Sequence, residues 1–437
     1  MNKLLPIVLI MSLTSACQKD NGPCVTCPPP YVPRLVLSTI ELAASEIYLT
    51  LASTDTSVLQ DVKVMRDSVM IDSSGRINTR KVTLRDIRLL PSHTYRYKAY
   101  RLSGSMPVDS SAQLVVTTMD TTSNNFTWQM YTLGGIGSII WDVAIVNDTS
   151  VIAVGEIYQN DSATLYNAAR WNGSNWSVFR IPYYYNGQPF YSSIGALYVV
   201  SDSDIWFGIG NLIHWNGQTY EPIEFSPTVW GSHLVRRLWG RGKTLYVVGD
   251  SGSIAFYDGT SWQKLTSGTT LDIQDIWGSV NSKTGQLEVI AVASLPYSSY
   301  DRKILSIRGT TVTPLSDDYI STSVTGAWFL PGKKYFVSGD GVYTKQDPYD
   351  TTFIWLPDPA TYASTHYERA IRGIDLNDIA IAGDAGEILH FNGIRWQSYR
   401  SMTHLDYGNF HSVAFKGNMI VAVGDNFDAA VVAIGRR

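Results

Sequence analysis

Two histidines recur at one place in this chain. His214 and His390 each sit just before an aromatic residue and an Asn-Gly pair, in H-W-N-G and H-F-N-G. A residue repeated at the same position of successive units reads as framework rather than as a catalyst. Asp250, Asp340, Asp384 and Asp425 recur in the same way, each directly after a glycine in VGD, SGD, AGD and VGD. Aspartate closes tight turns by bonding its own backbone; the alternative is a carboxylate rim for cations or sugar hydroxyls. No Ser, Cys or Lys nucleophile stands out. Zinc-type His/Glu spacings are absent, and GGIGS (134–138) is too short for a phosphate loop and precedes a strand, not a helix. An acid pair for glycoside hydrolysis could be drawn from many carboxylates, so spacing singles out none. No catalytic residue, metal or cofactor is assigned.

The elements that would position these residues are β-strands. The 437 residues are 44% hydrophobic and only 16% charged, with 26 Tyr and 13 Trp. That mix suits twisted sheets, where aromatic and β-branched residues fill a pleated, half-buried surface. The length predicts two or three domains. A net charge of −4 argues against nucleic acid. All three cysteines fall within the first 27 residues, so the remainder carries no disulfide framework.

Residues 1–17 read MNKLLPIVLIMSLTSAC. Lys3 begins a positive n-region, residues 4–13 are an apolar run too short to span a bilayer, and small residues precede Cys17. This resembles a bacterial lipoprotein signal with its lipobox, although Thr14 stands where that family usually has Leu. The resemblance implies that Cys17 becomes the acylated first residue of the mature chain. Gln18 rather than Asp after it implies the outer membrane, on its cell-surface or periplasmic side. Residues 18–33 (QKDNGPCVTCPPPYVP) then read as a Pro-rich tether. Cys24 and Cys27 form a lone CxxC, which suits a local disulfide or no role better than zinc, since no further ligands lie near.

Residues 34–119 contain short alternating runs: IYLTLA (47–52), VKVM (62–65), KVTL (81–84), TYRYKAY (94–100) and QLVVTT (113–118). Strands at this spacing predict a β-sandwich. Leu89, Pro91 and Tyr95 keep the spacing of the strand-F region in fibronectin type III domains, a resemblance that implies an Ig-like fold with Tyr95 as its tyrosine corner. The usual strand-B Trp is missing.

Residues 126–437 are a repeat. VRRLWGRGKTLYVVGDSGSIAFYDGTSW (235–262), RAIRGIDLNDIAIAGDAGEILHFNGIRW (369–396) and IGALYVVSDSDIWFGIGNLIHWNGQTY (194–220) align by eye. Each predicts four antiparallel strands, with Asn-Gly or Asp-Gly as a two-residue type I′ hairpin before the fourth. Weaker units start near Trp141, Ile273, Val324 and Phe410. The last stops after its third strand, and the missing Asn-Gly-x-x-Trp strand appears upstream in NNFTWQMYTL (124–133). The chain is therefore expected to be all-β: a fibronectin type III-like sandwich, then a seven-bladed β-propeller whose ring is closed by residues 126–132, with six or eight blades still open. The repeat resembles bacterial propellers patterned W-G…V-G…N-G-x-x-W, loosely the photosystem-assembly-factor-like and sialidase-like ones. It matches no sialidase Asp-box, WD or kelch signature, and the resemblance implies a fold rather than a function.

Sorting the turns by face of the expected propeller gives an asymmetry. One face collects Tyr183, Tyr184, Tyr185, Phe190, Tyr191, Trp230, Tyr297, Tyr300, Tyr362, Tyr367 and Tyr407, together with the four Gly-Asp aspartates. The other carries short polar turns (NDTS, SDSD, RGK, PGKK, LND, KGN and the Asn-Gly pairs), with Tyr349 as its main aromatic. Tyr and Trp suit glycan rings and protein partners alike. The expected function is a lipid-anchored, non-catalytic binding or scaffold module recognising a glycan or a protein through the aromatic face. The alternatives are that these loops merely pack on one another or on the sandwich, or that a carbohydrate-active hydrolase or lyase has its site at the central channel.

Overall fold

The computed structural model describes residues 34–437, apart from 57, 73–78, 160–162, 232, 299–300, 350–354, 358–365 and 406. Cys17, Cys24, Cys27, the tether, Tyr300 and Tyr362 therefore lie outside the described residues.

Among the described residues the first unit has eight strands: β1 (Leu35–Leu42), β2 (Glu46–Ser53), β3 (Val62–Arg66), β4 (Val69–Asp72), β5 (Lys81–Ile87), β6 (Thr94–Ser103), β7 (Met106–Ser110) and β8 (Leu114–Thr117). They form two sheets, β1-β2-β5 and β4-β3-β6-β7, with β8 also on β6. The alternation in each strand buries one face. Leu37, Leu49 and Leu51 of the first sheet meet Val64, Tyr97 and Ala99 of the second in one core. The Tyr95 hydroxyl accepts the Leu90 N–H at 2.9 Å, tying the entry of β6 to the preceding turn.

The second unit is seven four-stranded antiparallel sheets among the described residues. Six are contiguous in sequence: 139–179, 196–223, 235–265, 273–315, 324–357 and 368–398. The seventh takes three strands from 409–436, and its fourth is β9 (Thr127–Leu133), paired from Leu133↔Ala430 to Thr127↔Arg436. Each first strand contacts the next sheet's first strand, and that of the seventh sheet contacts that of the first, so the strands form a closed ring. The W-G pattern packs neighbours together. The rings of Trp239 and Trp328 lie where a Cβ on Gly278 or Gly373 of the next sheet would come within 2.3 and 2.7 Å of them. Arg437 pins the closure. Its guanidinium donates to both Asp378 oxygens (2.9 and 2.6 Å) and to Ser123 O (3.0 Å). Buried His390 lies between Asp378 and Asn124, a framework position as its recurrence implies.

The Asn-Gly turns differ from expectation. A type I′ turn needs positive φ at both central residues. Here only the glycines have it, Gly173, Gly217, Gly259 and Gly393 at φ +91 to +99. The connection is a four-residue loop in which the Asn or Asp side chain accepts two backbone N–H groups. Asn172 Oδ1 takes those of Ser174 and Asn175 at 3.0 and 2.9 Å, and Asn216, Asp258 and Asn392 act alike. The Thr260 hydroxyl and these N–H donors hold the Asp258 carboxyl well below the usual carboxylate range.

The first unit docks on the face of the short polar turns. Thr122 and Asp120 bond to Asn377 in the LND turn, and Ser45 donates to Gly393 O. Ala43 enters an apolar cluster with Trp328, Phe336 and Leu376. Lys334, from the PGKK turn, reaches between Glu46, which it bonds, and Glu41 (3.7 Å). Arg85 completes the cluster at 2.6 Å from Glu46. Burial pushes the Glu41 carboxyl above its ordinary value, while at Glu46 burial is outweighed by Lys334 and Arg85, which hold it down.

Removing one partner from such a cluster strands buried charge. Lys334→Ala is expected to lower unfolding free energy by about 3–5 kcal/mol, read by denaturant titration. Combining it with Glu41→Gln recovers part of the loss. A Lys334→Ala chain of unchanged stability would show that the two units do not share this interface.

Candidate functional site

A regularly paired strand sends alternate side chains to its two faces and cannot aim one along its own axis. This chain escapes that restriction with a β-bulge. In six of the seven sheets the pairing of first and second strands skips one residue near the start of the first strand: Trp141, Arg236, Gln274, Thr325, Arg369 or His411. A bulge leaves the extra residue out of the ladder and re-aims its side chain. All six line one cavity of about 470 Å³ at the mouth of the central channel, where Gly195 and Ile209 supply the wall at the remaining sheet.

The repeated Gly-Asp has a structural cause here. Below the bulge, the carbonyl two residues before the bulged one presses on the glycine of the second strand, which Asp follows in four of the five cases and Glu156 in the fifth. A Cβ on Gly155, Gly249, Gly339, Gly383 or Gly424 would fall 1.7–2.2 Å from that oxygen. The aspartate that follows then holds the bulged side chain. Asp250 accepts from Arg236 Nε at 2.5 Å, Asp384 from Arg369 Nε, and Asp425 lies 2.8 Å from His411 Nε2. Three of the four aspartates of the expected acidic rim thus hold bulged side chains, two of them arginines. Turn-making is a lesser part of their role, as where Asp425 also accepts the Phe427 N–H. Asp340 differs, being exposed beside a sheet whose bulged residue is Thr325.

The mouth combines charged groups with an apolar wall. Arg236 also reaches Asp272 at 2.7 Å. Trp141 packs on His411 with ring centroids 4.8 Å apart, and Ile209, Leu234, Val235 and Pro296 fill the intervals. Glu156 is the one carboxylate among the described lining residues. Burial pushes the His411 ring below its ordinary pKa, with Asp425 pulling the other way, so the ring is neutral at neutral pH. Beneath the cavity a belt crosses the channel. Arg372 grips Asp275 with two bonds of 2.8 Å, Arg237 donates to His411 O at 3.0 Å, and Ser412 donates to Asp142 at 2.7 Å. Arg237 also lines a second cavity, of about 400 Å³, on the far side of the belt.

The aromatic residues singled out in the sequence do not converge on this mouth. Tyr367 lines it, and exposed Tyr297 packs on Tyr367 (4.6 Å) while bonding Asp384 and Arg369. Tyr183–Tyr185 and Gln188–Phe190 form a separate two-stranded hairpin. On it Tyr184 and Tyr185 are 41% and 52% exposed, whereas the Tyr183 hydroxyl accepts from Asn211. Tyr191 stacks beneath Arg180 at 3.4 Å. Tyr407 is exposed on its own. Trp230 corrects the expectation of a surface contact. It is 2% exposed, packs on Phe225, and donates its indole N–H to His233 O, because the loop folds back over the sheet edge. The bulged residues went unnoticed in sequence because their types differ from sheet to sheet. The usable signal was the Gly-Asp opposite them.

With its ring of four-stranded sheets the chain has the fold of a β-propeller, and known structures agree. A structure of YCF48 bound to D1 peptide superimposes with a TM-score of 0.53 at 16% identity, covering 73% of this chain and all of that one. The WD40 propeller domain of Doa1 gives 0.50 at 14%, covering 71% and 97%. No family model matches the chain, and no curated protein matches it in sequence.

The His411–Asp425 pair sets a signed expectation. Asp425→Asn removes the charge that favours the protonated ring, so the His411 pKa drops further, read by NMR titration of its ring protons. The folded state disfavours protonated His411. Its share of stability is therefore complete above about pH 6.5 and is lost as pH falls through that value toward the lower folded pKa.

Proposed function

We propose that this chain is a lipid-anchored, non-catalytic binding scaffold of the bacterial cell envelope. In this reading Cys17 carries the lipid at the outer membrane, and a fibronectin type III-like domain bears a seven-bladed propeller. The strand order β1-β2-β5 against β4-β3-β6-β7 and the Tyr95 bond support the fibronectin type III assignment. The single observation that carries the functional reading is the ring of bulged side chains. Six sheets spend a pairing irregularity to present Trp, Arg, Gln, Thr, Arg and His to one cavity. The first unit occupies the opposite face, so the mouth is left clear of it.

A protein segment is the ligand best matched to this site. Fixed cations beside an apolar wall suit a chain with acidic and hydrophobic side chains. The YCF48 structure, with its bound peptide, gives a propeller precedent. The glycan form of the proposal rests on a different place, the exposed hairpin Tyr184 and Tyr185. A glycosidase would need two carboxylates about 5–9.5 Å apart across the pocket, and among the described residues the lining contributes Glu156 alone.

Panning the full chain against a random peptide library, with a glycan array in parallel, tests this reading. Peptides are expected to bind, with Trp141→Ala or Arg369→Ala weakening them roughly thirtyfold, the scale of an interface hot spot. Tyr184→Ser with Tyr185→Ser should change little. Glycan binding lost with the hairpin pair, or peptide binding indifferent to Trp141 and Arg369, would refute the mouth as the site.

A further inference from the structure

The outer face of the β4-β3-β6-β7 sheet is turned away from the propeller. The docking contacts come instead from residues 41–48 and 119–122, on the β1–β2 turn, its flanking strands and the linker. Along β6, Tyr95, Tyr97 and Ala99 point into the core, so Arg96, Lys98 and Tyr100 point out. Lys63 of β3 pairs directly opposite Tyr100. These residues line a trough of about 730 Å³. Three cations, Lys63, Arg96 and Lys98, face one acid there, Asp67, whose Oδ1 accepts the Arg96 backbone N–H. The local excess is positive in a chain whose net charge is −4.

Apolar side chains share this face. Met65, Leu102 and Pro107 line the trough, and Met70, paired with Met65 on the β4 edge, is 51% exposed. Basic and apolar side chains are thus interleaved on one sheet face. A surface that offers both together matches a membrane interface, where buried apolar area and attraction to anionic headgroups add.

The position of the chain entry points the same way. Arg34, where the described residues begin, pairs with Asp55 (3.7 Å), and Asp55 is also approached by Arg101 of β6 (4.0 Å). The chain therefore enters at the Lys63–Tyr100 end of the trough, opposite the end that docks the propeller. The 16 residues from 18 to 33, if extended at about 3.1 Å each, reach roughly 50 Å, so a bilayer holding Cys17 lies within range of the trough.

We propose that this trough is a docking surface for an anionic lipid bilayer, a reading that rests on the lipid anchor. The anchor supplies a high local concentration, so weak contact suffices to orient the molecule. The trough lies on the headgroups, with the propeller beyond its far end.

The test uses residues 17–437 with Cys17→Ser, so that no acyl chain contributes, and sedimentation with vesicles of phosphatidylcholine alone or with 30% phosphatidylglycerol. Binding is expected to be at least tenfold stronger to the anionic vesicles and to weaken with salt. Lys63→Glu with Lys98→Glu should abolish that preference at an unchanged melting temperature, and Met65→Ser with Met70→Ser should weaken binding several-fold. No binding, equal binding to both vesicles, or a charge-reversed variant that still prefers anionic vesicles would overturn the proposal. Acylation of Cys17 is read separately, from the mass of the native membrane-extracted protein, so failure of the anchor and failure of the trough give different results.

Discussion

The pairing of β9 with residues 430–436 joins two stretches of chain about 300 residues apart in sequence. Without it the seventh sheet has three strands, and an open edge where the ring should close. Closure also sets the geometry of the mouth, because the bulged residues converge only if the first strands form a circle. The contact is reinforced from several sides. Trp128 packs where Gly435 leaves room for it, and Phe126 is buried against Tyr399 and His390. Arg437 and Asp378 hold the entering linker. With β9 in place the seventh sheet ends, like the other six, on a fourth strand instead of exposing the third.

The same linker seats the first unit. Residues 120–124 bond to the Asn377 turn and to His390 on their way from β8 to β9, so closure and docking are consecutive acts of a few residues. The buried Lys334 cluster then fixes the relative orientation. Buried ion pairs are poor sources of net stability but costly to leave half-made, which suits them to specifying one arrangement.

Much of the scaffold was legible in the sequence, because strand periodicity and turn residues are local. The last repeat lacks its Asn-Gly-x-x-Trp strand, and that strand stands upstream as NNFTW, which is a statement about closure readable without coordinates. The turn type was misjudged because Asn-Gly suits a two-residue loop. The Oδ1 of Asn172 or Asn216 instead caps a longer one, and only the spacing to the following aromatic distinguishes the two.

The site was read less well, and the reason is physical. Counting aromatic residues on a face ignores how loops fold back, so it assigns Trp230 to the surface when it is a core residue. Bulged positions share a geometry but not a residue type, and single-sequence patterns detect types. What was visible was the Gly-Asp repeat, whose aspartates were noted as turn-makers or rim. Their main work is to hold Arg236, Arg369 and His411 at the mouth.

Ring closure is tested most directly by hydrogen exchange measured segment by segment in mild denaturant. If β9 completes the seventh sheet, amides of 127–133 and 430–436 should open together, with one free energy and one denaturant dependence. Fast exchange throughout 127–133 while 430–436 stays protected would contradict a closed ring, and with it the convergent mouth.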